Sequence, residues 1–162
     1  MVTFTGVLPI NIAKLLIRTG RAQVIAEHPQ RFEVSKTKLI WIFAKLKIES
    51  DHLIEVIIPH WKSTKLTERL LVLLIRKGRK LHKVLPYLSR FKLKHPVTVF
   101  GMMIKKCSPD DFSLYIDRFH GLTKQQAKYL LGKGKDQETI ANLSSFNKDA
   151  QAYIVNQLKV HT

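Results

Sequence analysis

A large aromatic residue returns at nearly constant intervals along this 162-residue chain. The intervals between successive members are 29, 30, 28 and 27 residues. The five members are Phe32, Trp61, Phe91, Phe119 and Phe146. Self-similarity at a fixed period of about 20 to 50 residues is typical of proteins built from stacked structural repeats. The chain is therefore expected to contain five related units, each closing at one of these aromatics.

Apolar residues keep their phase relative to each closing aromatic and describe one face of a helix. One apolar residue stands seven positions before each of the first four aromatics and six before the fifth: Ile25, Ile54, Val84, Phe112 and Ile140. Another position, three before the aromatic, holds Ile58, Leu88, Ile116 and Leu143, with Pro29 in the first unit. Spacings of three and four residues indicate a helix with one buried face.

A turn is expected twelve or thirteen residues before each aromatic, between this helix and an earlier apolar stretch. The turn positions hold Gly20, Glu49, Gly78, Cys107 and Gly134. Glycine is the residue that most readily ends a helix in the left-handed conformation. Each unit is therefore predicted to be a helix, a short turn and a second helix.

The predicted fold is all-α, a right-handed α-solenoid of about five helical hairpins with a C-terminal capping helix, in a single domain over residues 1–162. The predicted units are residues 7–33, 34–62, 63–92, 93–120 and 121–146, and the predicted cap is 147–160. An irregular helical bundle is the alternative. Prolines 29, 59 and 86 fall inside second helices and predict kinks or shortening there, whereas Pro96 and Pro109 are expected to begin helices.

Composition disfavours several classes of protein. Cys107 is the only cysteine, which excludes an intrachain disulfide framework and a multi-cysteine zinc site. The seven histidines lack the paired spacing of a helical zinc site, and no glycine-rich phosphate loop is present. We expect no metal and no cofactor. No secretory signal and no apolar stretch of membrane-spanning length is found, so a cytoplasmic protein in a reducing environment is expected.

The charge of the chain is the main indication of its function. Twenty-eight Lys and Arg against twelve Asp and Glu give a formal net charge of +16. Many of the cations fall near the predicted turns: Arg18, Arg21, Lys45, Lys47, Arg76, Lys77, Arg79, Lys80, Lys105, Lys106, Lys133 and Lys135. Equivalent positions align in a stack of repeats, so these residues are predicted to form a basic edge that binds a phosphate backbone.

Two other interpretations of the cations stay open. Lys and Arg are favoured in the last turn of any helix, where they offset the helix dipole, and this alone produces a repeating basic position. Cations also mark the opposite edge, at Lys36, Lys38, Lys62, Lys65, Lys92, Lys94, Lys124 and Lys148. With both edges basic, the groove between them is a further candidate surface.

The predicted function is nucleic-acid binding, to RNA or DNA, through phosphate contacts with little sequence preference and without catalysis. The closing aromatics are expected to pack in the core rather than stack on bases. One alternative is a scaffold that binds an acidic protein partner. A second alternative is a HEAT-like enzyme that processes DNA bases, for which Trp41, Trp61 and Asp51 are the available residues. Membrane-surface binding is disfavoured, because each apolar face is used by the stack. The oligomeric state is open.

Overall fold

The computed structural model describes residues 7–45, 53–62, 64–78 and 80–160. These residues are mostly helical, and the two strands among them are two residues long, which confirms the all-α prediction. The chain divides into two compact units, Met1–Leu66 and Thr67–Thr162. Within the described ranges, no helix combines the length and apolar character that crossing a membrane requires.

The described part of the first unit consists of short helical segments. Its elements are α1 (Ile10–Arg18), α2 (Ala22–Glu27), a 3₁₀ turn (Pro29–Arg31), α3 (Lys36–Lys45), a π-helical turn (Leu53–Ile57) and α4 (Ile58–His60). α1 packs on both α2 and α3, and the π-helical turn packs on α2 and α3. Glu49, the predicted second turn residue, lies outside the described residues.

The second unit repeats the order of a longer first helix and a short, broken second helix. Its elements are β1 (Leu66–Thr67, leading in from the first unit), α5 (Glu68–Lys77), α6 (Leu81–Val84), a 3₁₀ segment (Leu85–Arg90), β2 (Phe91–Lys92), α7 (Pro96–Lys106), α8 (Pro109–Phe112), a 3₁₀ segment (Ser113–Arg118), α9 (Lys124–Gly132), α10 (Asp136–Ala141), a 3₁₀ segment (Leu143–Ser145) and α11 (Lys148–Val160). α5 packs on α7, the 3₁₀ segments pack in succession, and α11 packs on α9. The side-chain amide of Gln126 in α9 donates a 2.9 Å hydrogen bond to the Val97 carbonyl in α7.

All five closing aromatics belong to the core, as predicted. Their exposed fractions do not exceed 5 %. In the second unit the Phe119 ring meets the Phe100 ring edge to face, with 5.0 Å between centroids. In the first unit the buried indole N–H of Trp61 donates to the Ala26 carbonyl at 2.9 Å. Rings held in this way are unavailable for stacking on a base.

The prediction that Ile140 lies in the core is wrong. Its side chain is 49 % exposed, whereas its neighbour Thr139 is completely buried. Thr139 stands seven residues before Phe146, which is the core position in the other repeats. A hydroxyl can occupy it because Thr139 Oγ1 donates to the Lys135 carbonyl one helical turn earlier, so no polar group is left unpaired.

The glycine turns adopt the predicted left-handed conformation. Gly20, Gly78 and Gly134 have φ of +75°, +68° and +74°. Cys107, which takes the same place in the fourth repeat, instead has extended backbone with φ −109° and ψ 153°. A residue with a Cβ is tolerated there because this turn does not use the left-handed region.

The second helices are broken, and proline is only part of the cause. Pro29 begins a 3₁₀ turn, and Pro86 stands second in a 3₁₀ segment, so the predicted shortening is confirmed. The break also occurs without an interior proline, since Tyr115 has non-helical φ and ψ inside Ser113–Arg118. Four of the breaks lead to an aromatic with extended backbone, namely Phe32, Phe91, Phe119 and Phe146. Trp61 differs, with φ −92° and ψ 65°. The chain has to leave the helix before it reaches the buried ring.

A short parallel backbone contact joins the entry of a repeat to its closing aromatic. Leu8 bridges to Phe32 in the first unit, and Leu122 bridges to Phe146 in the second. The Leu122 amide donates to the Ser145 carbonyl at 3.0 Å, and the Asn147 amide donates to the Leu122 carbonyl at 2.8 Å. β1 and β2 pair as a two-stranded sheet that includes Phe91. These bridges were not foreseen from the sequence.

The carboxylate of Glu68 ties the start of α5 to the start of α7. Glu68 Oε2 accepts hydrogen bonds from the amides of Lys94 and His95, and Oε1 lies 2.9 Å from His95 Nδ1. The hydrogen bond from the His95 backbone amide is the largest cause of the lowered pKa of Glu68, because it stabilises the charged carboxylate. This contact aligns two neighbouring repeats.

We predict opposite effects from alanine at two glycines that lie two residues apart. Gly134→Ala should lower the free energy of unfolding by about 1 kcal/mol, because the new Cβ is strained at φ +74° although it meets no atom within 4 Å. Gly132→Ala is the control, since Gly132 ends α9 in equally open space and alanine is the better helix former there. Urea unfolding measures both, and equal shifts would contradict the conformational argument.

We predict that Glu68→Gln removes a pH-dependent part of the stability. The folded pKa is depressed, so the stabilisation is present above the unfolded pKa near 4.5 and is lost as the pH falls through the folded value. At neutral pH the variant should be less stable by about 1 kcal/mol or more. Urea unfolding across pH should show the difference in stability between wild type and variant shrinking as the pH falls below the unfolded pKa. A difference that stays constant into acid would contradict the prediction.

Candidate nucleic-acid interface

The predicted turn cations of the first unit lie at helix ends. Arg18 and Lys45 are the last residues of α1 and α3, and Arg21 immediately precedes α2. All three side chains are exposed. Lys47, predicted with them, lies outside the described residues.

The turn cations of the second unit follow the same rule. The last two residues of their helices are Arg76 and Lys77 in α5 and Lys105 and Lys106 in α7. All are exposed except the half-buried Lys77. Lys80 is exposed and precedes α6 with a left-handed φ of 48°. Arg79 lies outside the described residues.

The last two predicted cations are engaged by neighbouring side chains. Lys133 Nζ lies 5.6 Å from the centroid of the Tyr129 ring, a cation–π contact. Lys135 Nζ pairs with Asp110 Oδ1 at the start of α8, and its side chain is only 18 % exposed. This bond is the main cause that raises the pKa of Lys135 above its ordinary value. Lys135 therefore links two repeats, and its charge is already balanced by a carboxylate.

The position of the turn cations does not by itself indicate a ligand. Arg18, Lys45, Lys77 and Lys106 end helices, where the dipole favours a positive charge whatever the function. The helix-capping interpretation therefore accounts for their place in the repeat. A ligand-binding surface has to include cations that capping does not explain.

Such cations occur in a cleft of about 280 Å³ between α1 and α3, in the first unit. α1 contributes Ile10, Lys14 and Arg18, each four residues from the next and therefore on one helix face. α3 contributes Lys38, Trp41, Ile42 and Lys45, again at spacings of three and four residues. We refer to this surface as the α1/α3 cleft.

Four of the seven residues that line the α1/α3 cleft are cations, and among these described residues none carries a carboxylate. Lys14 lies in the middle of α1, and Lys38 lies in the first turn of α3, where the positive end of the dipole disfavours a cation. Glu33 approaches one end, where its Oε1 accepts a hydrogen bond from the Ile10 amide. The positions of Lys14 and Lys38 are therefore not explained by the helix dipole.

The α1/α3 cleft joins residues that the sequence placed apart. Arg18 and Lys45 were predicted on the turn edge, and Lys38 on the opposite edge, yet the three line one cavity. Lys14 and Trp41 were absent from the predicted binding set. For Lys14 the sequence carries a signal, because Ile10, Lys14 and Arg18 are spaced by four residues and share one helix face.

Two other cations of the opposite edge, Lys36 and Lys124, contact aromatic rings, as does the neighbouring Lys128. Lys36 Nζ lies 5.5 Å from the centroid of Trp61. Lys124 and Lys128 lie 5.4 and 5.3 Å from the centroid of Tyr153. Lys128 and Tyr153 also border a cavity of about 300 Å³ in the second unit, where Asp136 is present as well. That cavity is mixed in charge and is less suited to a phosphate than the α1/α3 cleft.

Of the residues named for base-processing chemistry, the structure describes the two tryptophans, Trp41 and Trp61. Trp61 is 4 % exposed and its indole N–H is occupied by the Ala26 carbonyl. Asp51 lies outside the described residues. Across the described part of the chain, no group of three or more His, Cys, Asp or Glu is arranged to hold a metal ion.

Comparisons of the chain with protein-family models, with curated protein sequences and with solved structures found no significant match.

The thiol of Cys107, at the fourth predicted turn, has a shifted pKa. This half-buried thiol has a pKa raised to about 11, first because burial disfavours the thiolate and second because of the negative charge of Asp111. Both effects keep the thiol protonated near neutral pH.

We predict that Cys107 reacts slowly with iodoacetamide. With a pKa of about 11, only about one molecule in a thousand carries the thiolate near pH 8. The rate, followed by mass spectrometry, should rise about tenfold per pH unit up to about pH 10 and should increase in urea. Asp111→Asn should accelerate it less than unfolding does. Reaction near pH 8 as fast as that of a small-molecule thiol would contradict the assignment.

Proposed function

We propose that this chain binds nucleic acid through the phosphate backbone, with little sequence preference, and that the α1/α3 cleft is its principal contact. The observation that carries the proposal is the set of four cations in the cleft, two of which stand where helix capping does not call for them. Lys and Arg that meet phosphates supply affinity and position but do not read bases.

The proposed phosphate contacts predict how steeply the affinity falls with salt concentration. Each neutralised phosphate of a single strand contributes about −0.7 to the slope of log affinity against log salt. Four cleft cations therefore correspond to a slope of about −3. An acidic protein partner held by apolar anchors would show a much weaker dependence on salt.

The finer fold predicted from the sequence, a right-handed α-solenoid of five hairpins with a capping helix, is part of this proposal. Its support is the recurrence of one arrangement in both units: a left-handed glycine turn, a broken second helix and a buried closing aromatic. In such a stack the exposed turn cations Arg21, Arg76, Lys105 and Lys106 would provide further phosphate contacts beyond the cleft.

Charge removal in the first unit tests the proposal with a matched control. Lys38→Gln/Lys45→Gln removes two cleft cations, and Lys62→Gln/Lys65→Gln removes two exposed cations of the same unit that do not line the cleft. Binding of a labelled oligonucleotide of about 12 nucleotides is followed by fluorescence anisotropy from about 50 to 200 mM salt.

The cleft variant should bind about tenfold more weakly or worse, with a salt slope shallower by about 1.4, because two phosphate contacts are lost. The control variant should stay within about threefold of the wild type, since its two charges act only from a distance. Equal losses in the two variants would move the contact away from the cleft. Absence of wild-type binding to RNA and to DNA would overturn the proposed function and leave the acidic-partner scaffold as the alternative.

A further inference from the structure

We infer that the α1/α3 cleft is a single-strand site in which one nucleobase stacks on Trp41 while the surrounding cations hold the adjoining phosphates. This inference rests on the proposed function and adds the class of nucleic acid to it. Its basis is the position of one half-buried indole among four cations and two isoleucines.

Trp41 lies between cations on its own helix. Lys38 precedes it by three residues and Lys45 follows it by four, so all three share one face of α3, each about one turn from the next. Lys14 and Arg18 face them from α1. A nucleotide combines a flat aromatic base with negative charge on both sides, and the cleft presents the complementary order of cation, ring and cation.

The apolar residues of the cleft fit a base better than a bare phosphate. Ile10 and Ile42 line the cleft with Trp41, and isoleucine side chains offer nothing to an inorganic anion. Stacking of a base on an aromatic side chain tolerates any base, because every base has a π-face. The mixed lining is therefore consistent with binding that has little sequence preference.

The size of the cleft favours a single strand over a duplex. About 280 Å³ is close to the lower end, about 300 Å³, of the range for small-molecule sites, so the space suits one nucleotide. In a duplex both faces of each internal base are covered by its neighbours, and reaching Trp41 would require the base to be flipped out. A single strand can present an uncovered base without that penalty.

The second tryptophan of the chain is an internal control for base stacking on Trp41. Its two tryptophans are Trp41, in the cleft, and Trp61, which is 4 % exposed with its indole N–H bonded to Ala26. A base that stacks in the cleft should quench the fluorescence of Trp41 and leave that of Trp61 unchanged. Intrinsic fluorescence therefore reports on the cleft directly.

The first experiment needs no variant of the protein. Two single-stranded DNA probes of about 12 nucleotides are compared, one of thymidines and one of abasic sites with the same number of phosphates. The thymidine strand should bind the wild-type protein about tenfold more tightly and quench its fluorescence, because only it supplies bases. The two salt slopes should be equal, because the phosphate contacts are the same.

Variants at Trp41, combined with the two probes, form a thermodynamic cycle that isolates the contribution of stacking. Trp41→Leu should bind the thymidine strand about tenfold more weakly and the abasic strand within about twofold of the wild type, while Trp41→Phe recovers most of the loss. Binding of a duplex of equal length should be the same in all three proteins. Circular dichroism establishes that each variant is folded, and fluorescence quenching should disappear in Trp41→Phe, where only Trp61 remains.

The outcomes separate this inference from the function on which it rests. If the thymidine and abasic strands bind the wild type equally, with a steep salt slope, nucleic-acid binding stands and base stacking at Trp41 is wrong. If the duplex binds as tightly as the single strand and quenches the same fluorescence, the single-strand assignment is wrong. If neither strand nor the duplex binds, and an RNA strand of equal length does not bind either, both proposals fall together.

Discussion

Four of the five closing aromatics reach the core on extended backbone, and much of the described architecture accommodates that requirement. Phe32, Phe91 and Phe146 leave their second helices in the β region, and backbone bridges or strand pairing hold them against the entries of their repeats. A continuous helix could not do this, because its backbone groups would already be committed to one another. The short 3₁₀ segments are therefore the transition between helix and bridge.

The positions of the helix ends also determine where many of the basic residues lie. First helices end at the turns, so cations that favour the negative end of a dipole collect there in any protein of this design. What distinguishes this chain is the placement of Lys14 and Lys38, which lie away from the helix C-termini and face the same cavity as Arg18 and Lys45. Under the proposed function, an anionic ligand would offset the repulsion among these cations. Turn cations such as Lys135, paired with Asp110, instead contribute to the packing of neighbouring repeats.

Features governed by local periodicity could be predicted from the sequence. Features decided by a particular hydrogen bond or by tertiary packing could not. The burial of the closing aromatics and the left-handed turn at Gly78 both follow from spacing alone. The burial of Thr139 instead of Ile140 required knowing that its hydroxyl would find a carbonyl within the helix. The bridge of Leu122 to Phe146 and the joining of Lys14 to Lys38 across two helices depend on tertiary packing, which no single-helix pattern contains.

The entry bridges also bear on how the chain folds. Leu8 and Phe32 are 24 residues apart, as are Leu122 and Phe146, so each bridge closes a short loop at a modest cost in chain entropy. Contacts of such low sequence separation are typical of proteins that fold in microseconds to milliseconds. A hairpin sealed by such a bridge can form from contacts within its own segment, so its closure does not depend on the residues that follow it. Early, local closure is the kinetic counterpart of a bridge that spans only 24 residues.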